Sequence, residues 1–468
     1  FLNNSRKDLA FCICFIQGMI DTNSINECVI KPIQEQTLSE DISDKNIMAE
    51  LTEKIIDASN IQRTDDGERI LESLLYGSTI LLVDGISQVL IIDSKGWEKR
   101  AISEPDSEKV VRGPREGFIE CMISNLSMIR RKIQSPNLKF VFKKLGEQTK
   151  TRICVCYIEG LASEQILQEV YTRLDKIKID AILDSGYIQE IIKDAPYSPF
   201  DTIGSTERPD TAAAKLLEGR VAIIVDGSPF VLTLPYLFME YFQVNEDYYS
   251  NFIFSSFNRI LRIVGAGLTV MVPALYIAVT TYHHELLPTP LLLSIAAARQ
   301  GIPFPTVVEA ILMILTFEIL REAGTRIPTP IGQAISIVGA LVLGQAAVDA
   351  RIVSAPIVIV TALTGITSLL SIKLLGAPIL IRFIFLFLAS FMGLFGLIFG
   401  FLGLVIHLSS LRSFGIPFTL NIGSLKGQDF KDTAIRAPWW FMALRPELLS
   451  EKNRERQPKQ ARKRKNAQ

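Results

Sequence analysis

The stretch IVGAGLTVMVPALYIAVTTY, Ile263 to Tyr282, and the stretch FIFLFLASFMGLFGLIFGFLGLVIH, Phe383 to His407, each reach the roughly 20 apolar positions that cross the hydrocarbon core of a bilayer. Charge divides along the same lines. Phe1 to Ser256 carries 39 acidic and 28 basic residues, Phe257 to Ser409 carries 5 and 8, and Ser410 onward carries 5 and 13. The net charge of zero over 468 residues therefore combines an acidic soluble region, an apolar membrane region and a basic tail. This pattern excludes a purely soluble enzyme, a collagen, an extended disordered chain and a single small module. The basic excess is confined to the tail, so no nucleic-acid partner is expected.

The acidic region repeats itself. Cys12-Ile13-Cys14-Phe15-Ile16-Gln17-Gly18-Met19 matches Cys154-Val155-Cys156-Tyr157-Ile158-Glu159-Gly160-Leu161 at an offset of 142 positions. At the same offset, Val83-Asp84-Gly85 followed by Val89-Leu90 matches Val225-Asp226-Gly227 followed by Val231-Leu232. One offset kept by separated blocks indicates a tandem duplication. Arg6 and Lys7 ahead of Leu9 to Ile16 imitate a signal sequence, but no small-residue cleavage site follows and the stretch recurs inside the chain. Opening on Phe1 rather than Met, the chain is expected to lack some N-terminal residues.

The predicted fold is a duplicated α/β soluble domain followed by a polytopic α-helical transmembrane domain. Residues 1–100 form copy 1, 101–145 a linker, 146–256 copy 2 with the membrane approach, 257–410 the transmembrane domain, and 411–468 a cytoplasmic, partly disordered basic tail. Asp84-Gly85 and Asp226-Gly227 suit tight hairpin turns, because glycine accepts positive φ. In the linker, Arg112-Gly113-Pro114-Arg115-Glu116-Gly117-Phe118 demands a bend, and a helix is predicted from Ile119 to Ile133, ending in Arg130, Arg131 and Lys132. Its arginines either hold a phosphate or carboxylate, or pair with the acidic domain around them.

Cys12 and Cys14, like Cys154 and Cys156, stand two apart on predicted strands and share one face, expected to be core. A zinc site needs further ligands, and His283, His284 and His407 all lie in the apolar region, so neither a metal nor a cofactor is expected. The cysteines fit a reducing compartment. The phosphate-loop, H-E-x-x-H and kinase templates find no match, and no catalytic residue is assigned.

Six apolar segments follow: Ile263 to Tyr282, Leu286 to Ala298, Val307 to Leu320, Ile331 to Val348, Ile352 to Ile372 and Pro378 to Ser409. Leu286 to Ala298 is short and bounded by prolines, which suits a re-entrant or broken helix. Arg259, Arg262 and the cluster Arg462 to Lys465 place both soluble ends in the cytoplasm by the positive-inside rule. The expectation is four firm crossings and one hairpin of uncertain depth. Glu318 with Arg321 and Glu322 with Arg326 have helical pairing distances and form a candidate membrane charge network. Glu309 has no local partner and either lines a cation path or bonds another helix. Gly339 and Gly344 thin the neighbouring segment and complete a candidate ion pathway with Glu309. Gly393, Gly396, Gly400 and Gly403 form a second stripe, for packing or for a pore or subunit interface.

Several motifs resemble those of the GerA-type spore germinant receptor A subunits: Arg112 to Phe118, Thr206-Glu207-Arg208-Pro209-Asp210, Glu218-Gly219-Arg220-Val221 through Gly227, and Glu246-Asp247-Tyr248-Tyr249. Pro303-Phe304-Pro305, Leu320-Arg321-Glu322-Ala323-Gly324 and Arg436-Ala437-Pro438-Trp439-Trp440 resemble them too. The resemblance spans almost the whole chain. It implies a protein of the inner membrane of a bacterial endospore, working with a transporter-like B subunit and a lipoprotein C subunit, as a homo-oligomeric nutrient-gated ion channel. A stage V sporulation paralogue that amplifies ion release is the alternative within the family. A secondary transporter or a non-conducting scaffold is the alternative outside it.

In the tail, Trp439 and Trp440 read as an interfacial anchor, and Arg462 to Lys465 as an arm attracted to anionic membrane lipid. Deleting Lys459 to Gln468 is expected to weaken binding of the isolated tail to anionic vesicles in a co-sedimentation assay while the membrane domain stays folded.

Overall fold

The alternation in Phe11–Cys14 forms strand β1, which pairs antiparallel within a sheet of β2 (Ile61–Thr64), β3 (Thr79–Val83) and β4 (Val89–Ile92), in the order β1-β3-β4-β2. A second antiparallel sheet contains β5 (Leu138–Leu145), β6 (Thr151–Ile158), β7 (Gly204–Thr206), β8 (Val221–Val225) and β9 (Val231–Leu234), in the order β5-β6-β8-β9-β7. The computed structural model describes residues 1–3, 9–36, 44–58, 60–94, 96, 104–105, 107–326, 342–374, 376–423, 432–442, 444–445 and 455–456. The chain divides into two units: Phe1–Lys193 with Ile203–Pro235 and Ala443–Gln468, and Asp194–Thr202 with Tyr236–Met442.

The sheets repeat residue by residue at the sequence offset. Phe11 opposite Val83 returns as Ile153 opposite Val225. Thr79 opposite Ile92 returns as Val221 opposite Leu234, and Thr64 opposite Val89 as Thr206 opposite Val231. The helices of this unit include α1 (Gly67–Leu75), α2 (Met122–Lys132), α3 (Glu164–Asp175), α4 (Ser185–Ile192) and α5 (Pro209–Leu217). Of these, α1 and α5 correspond at the same offset. Asp66 caps α1 through Glu68 N at 3.0 Å, whereas α5 begins with Pro209 in its first turn. Gly85 and Gly227 take φ of 77° and 90° after β3 and β8, where a Cβ would be strained.

The copies differ in what covers them. Residues 138–145, read from the sequence as linker, form β5 at the edge of the second sheet. The helix α2 packs Met122, Leu126 and Ile129 against Cys154, Cys156, Ala222 and Ile224. That cover buries both cysteines. In copy 1 the main core lies on the opposite face, through Phe11, Leu81, Val83, Leu90 and Ile92, and no counterpart of α2 covers β1 among the described residues. Among the described residues Cys12 is exposed and Cys14 half-buried, whereas Cys154 and Cys156 show the expected core face.

The second unit is helical: α6 (Phe252–Thr281), α7 (Thr289–Ala298), α8 (Thr306–Arg326), a helix over 342–349, α9 (Ala355–Ser368) and α10 (Gly376–Ser410). It also takes in residues 194–202, 236–256 and part of the stretch read as tail. Phe200, Tyr236, Met239, Tyr241, Phe242, Leu411 and Phe418 form one core with Val270, Ala274, Ala377 and Phe385. Among the described residues, α6 and α10 are long and apolar enough to cross a membrane.

The helix α10 is not a straight rod. Gly393 takes φ 57° and ψ −131°, a conformation outside the helical region and all but closed to residues with a Cβ. Beyond it the chain folds back: a Cβ at Gly396 would collide with the Leu388 carbonyl, and one at Gly400 would lie 3.4 Å from the Phe385 ring. In a straight helix, positions 385 and 400 would stand about 22 Å apart. The long apolar run is therefore a helical hairpin whose arms are roughly 25 Å each. Two glycines of the stripe, Gly396 and Gly400, serve the contact between the arms, Gly393 makes the turn, and Gly403 faces open space. The double substitution Phe385→Cys and Gly400→Cys is expected to be bridged intramolecularly by a short bismaleimide, which spans the space left by the Phe385 ring, read as a mobility shift by electrophoresis. Absence of cross-linking in a folded protein would support the straight rod.

Candidate functional site

The sharpest polar feature of the helical unit is Glu309, fully buried in the first turn of α8. Its Oε2 accepts hydrogen bonds from Ser354 N at 2.9 Å and Ser354 Oγ at 2.8 Å, where Ser354 is the N-cap residue of α9. Its Oε1 lies 3.5 Å from Arg299 Nε, at the C-terminal end of α7, outside hydrogen-bond geometry. Glu309 is thus bonded to the start of α9. Gly344, the second candidate pathway residue, is buried, and a Cβ there would meet Val358 at 3.4 Å. Gly339 lies outside the described residues.

Two and a half turns further along α8, the candidate charge network divides. Glu318 pairs with Arg321 at 2.6 Å and also with Arg382 of α10, a partner the sequence reading missed. Arg382 is a cation in an otherwise apolar arm and is 1% exposed at its side chain, so pairing across helices is what makes its burial tolerable. The signal was present as one arginine inside Pro378 to Ser409. Glu322 and Arg326 pair with each other at 2.7 Å on an exposed face, apart from that cluster.

At the start of α6, two sequence motifs meet. Arg259, fully buried, pairs with Asp247 at 3.2 Å and Asp432 at 2.7 Å, while Arg262 reaches Asp247 at 2.5 Å. Tyr248 donates to Asp432 Oδ2 at 2.6 Å. Arg436 lies over the rings of Tyr248 and Trp439 at 5.8 and 5.5 Å, and Trp440 packs edge-on against Phe252. Trp439 and Trp440 remain about half exposed, at 48% and 49%. Arg259 and Arg262, read from the sequence as topology signals, are thus neutralised within the protein.

In the α/β unit, the fully buried Arg208 joins two motifs nearly a hundred positions apart. It donates to the Pro114 carbonyl at 2.8 Å and the Glu108 carbonyl at 3.2 Å, and pairs with Asp210 at 2.7 Å. Gly113, with φ 138°, makes the bend, and Glu116 holds Arg131 and Lys132 at 3.3 Å each. Arg112 and Arg115 stay exposed, the latter 4.0 Å from Glu104. The sequence alternative of pairing within the acidic domain is therefore realised for Arg131 and Lys132. Arg130 instead donates to the Ser135 and Leu138 carbonyls at 3.0 Å.

The Bacillus/Clostridium GerA spore germination protein family matches residues 2–448. The chain belongs to this family. Spore germination protein KA of Bacillus subtilis (strain 168) is 44% identical over 452 residues, covering 96% of this chain and 82% of that protein. The uncharacterized membrane protein YfkQ of the same strain is 42% identical over 449 residues, covering 94% of this chain and 86% of that protein. The crystal structure of the N-terminal domain of the A subunit of the Bacillus megaterium spore germinant receptor GerK3 is 36% identical, with a TM-score of 0.40, over 51% of this chain and 87% of that one.

In this GerA chain part of the tail is docked rather than free. Arg456 pairs with Glu218 at 2.7 Å, and Arg445 donates to the Leu217 carbonyl at 2.8 Å. The cluster Arg462 to Lys465 lies outside the described residues. Burial alone would raise the Glu218 carboxyl, but Arg220, Lys215 and Arg456 outweigh it and hold it down at about 2. A carboxyl depressed on folding stabilises the native state above its ordinary value of 4.5, and that contribution is lost as pH falls from there toward 2. Glu218→Gln is expected to lower stability at neutral pH by about 1–3 kcal/mol. Denaturant unfolding should also show a flatter acid limb over that pH window.

Proposed function

We propose that this GerA-family chain is the A subunit of a spore nutrient-germinant receptor and assembles as a homo-oligomer into a nutrient-gated ion pathway in the inner membrane of the endospore. In this reading it works with a transporter-like B subunit and a lipoprotein C subunit, and both soluble ends face the spore core. The family match across almost the whole chain supports the receptor assignment.

For conduction, the single supporting observation is Glu309: a fully buried carboxylate in an apolar helical unit, with one oxygen outside any hydrogen bond among the described residues. By insertion scales an acidic group at mid-membrane costs about 2.5–3.5 kcal/mol, so retaining one with an unused oxygen favours a polar route over simple packing. A partner's signal would act by shifting helix packing around that route.

The test is ion release from spores carrying Glu309→Gln or Gly339→Leu, with membrane abundance measured in parallel. Glu309→Gln is expected to slow cation release on the order of tenfold, a barrier change of about 1.4 kcal/mol, at unchanged abundance. Gly339→Leu is expected to block release or to leak without nutrient. Normal release from both variants would remove these residues from the pathway.

A further inference from the structure

The two partners of the Glu309–Arg299 pair are mounted very differently. Glu309 sits on α8 beside Ala310 and Ile314, which pack into one cluster with Ile277, Val353 and Ile357. Its side chain is 0% exposed, and Ser354 fixes one of its oxygens by two hydrogen bonds. Arg299 ends α7, a helix of 10 residues none of which is buried, and its side chain is 28% exposed. The acid is anchored, and its counter-ion is carried on a lightly held element.

The contact between them is also imperfect. Glu309 Oε1 and Arg299 Nε are both sealed from solvent, 3.5 Å apart, and neither makes a hydrogen bond in good geometry among the described residues. Tyr276 Oη is also sealed from solvent, and Tyr276 packs against the same cluster as Ala310 and Val353, the chain neighbours of Glu309 and Ser354. Three oxygens therefore converge, from α6, from α8 and from the start of α9: one carboxylate and two hydroxyls. Hard oxygen donors carrying a single negative charge suit an alkali cation. A divalent ion would leave an uncompensated buried charge, and the group contains no thiolate or imidazole to select a transition metal.

We propose that Glu309 Oε1, Tyr276 Oη and Ser354 Oγ form a binding site for a dehydrated monovalent alkali cation, and that Arg299 fills it as a removable counter-ion in this conformation. Movement of α7 would withdraw the guanidinium, and a cation would take its place. Arg299 is thus a positioning residue that sets when the site is vacant. The role in ion release rests on the reading of Glu309 as a pathway residue; cation binding itself does not.

The test uses the full chain purified in detergent, with thermal unfolding followed in potassium chloride, sodium chloride and N-methylglucamine chloride at equal ionic strength. The unsubstituted protein should respond alike to all three, because Arg299 holds the site. Arg299→Gln should unfold a few degrees higher in potassium or sodium than in N-methylglucamine, and the double substitution Arg299→Gln with Glu309→Gln should erase that difference. Arg299→Lys, which keeps the charge but loses the planar fork, should give an intermediate shift and serves if Arg299→Gln folds poorly. The proposal fails if neither Arg299 variant gains a cation-specific rise, if the rise survives the double substitution, or if acidification alone reproduces it. Cation-specific stabilisation of Arg299→Gln combined with normal ion release in Glu309→Gln spores would uphold the site and reject its place in conduction. Slowed release in Glu309→Gln without any cation-specific stabilisation would do the reverse.

Discussion

An ionised side chain held away from water must find a partner, and the helical unit is arranged around that requirement. Glu309 and Glu318 stand nine positions apart on α8, about two and a half turns, and so emerge on opposite faces. One is tied to the N-cap of α9 and to Arg299, the other to Arg321 and, across helices, to Arg382 of α10. Replacing Glu318 would leave the buried Arg382 without its counter-charge, which typically costs about 3–5 kcal/mol, whereas Arg299 beside Glu309 is 28% exposed and retains access to solvent. These two carboxylates give α8 directional contacts to the start of α9 and to α10.

The soluble unit depends on a different kind of constraint, strand register. A slip of one residue would turn every side chain of a strand to the other face, so a duplicated sequence that keeps its register keeps its sheet. The pairs Phe11 with Val83 and Ile153 with Val225 express that directly. Among the described residues, the two sheets differ in what lies against them. The helix α2 and strand β5 enclose the second copy, which buries Cys154 and Cys156 completely, while Cys12 of the first copy stays exposed.

Much of this architecture was legible in the sequence. The offset repeat is explicit in the letters, because strand-forming residues and Asp-Gly turns recur at fixed spacing. Apolar runs marked the helical unit because bilayer thickness sets a length that composition alone can reveal. Helical pairs such as Glu318 with Arg321 and Glu322 with Arg326 were readable for the same local reason: one turn of helix brings them together whatever the rest of the fold does.

The remaining features required the third dimension. Arg382 with Glu318, Arg259 with Asp432, and Arg208 with the Pro114 carbonyl join positions 64, 173 and 94 residues apart, and no periodicity encodes such meetings. The fold-back at Gly393 was hidden because a hairpin and a straight helix share one apolar pattern; only a positive φ and the approach of Gly396 to Leu388 separate them. Sequence by itself determined the repeat, the length of the apolar segments and the charges placed among them. Tertiary structure decided which charges neutralise one another and which oxygens remain unused, because burial and pairing are properties of neighbours in space and not of neighbours along the chain.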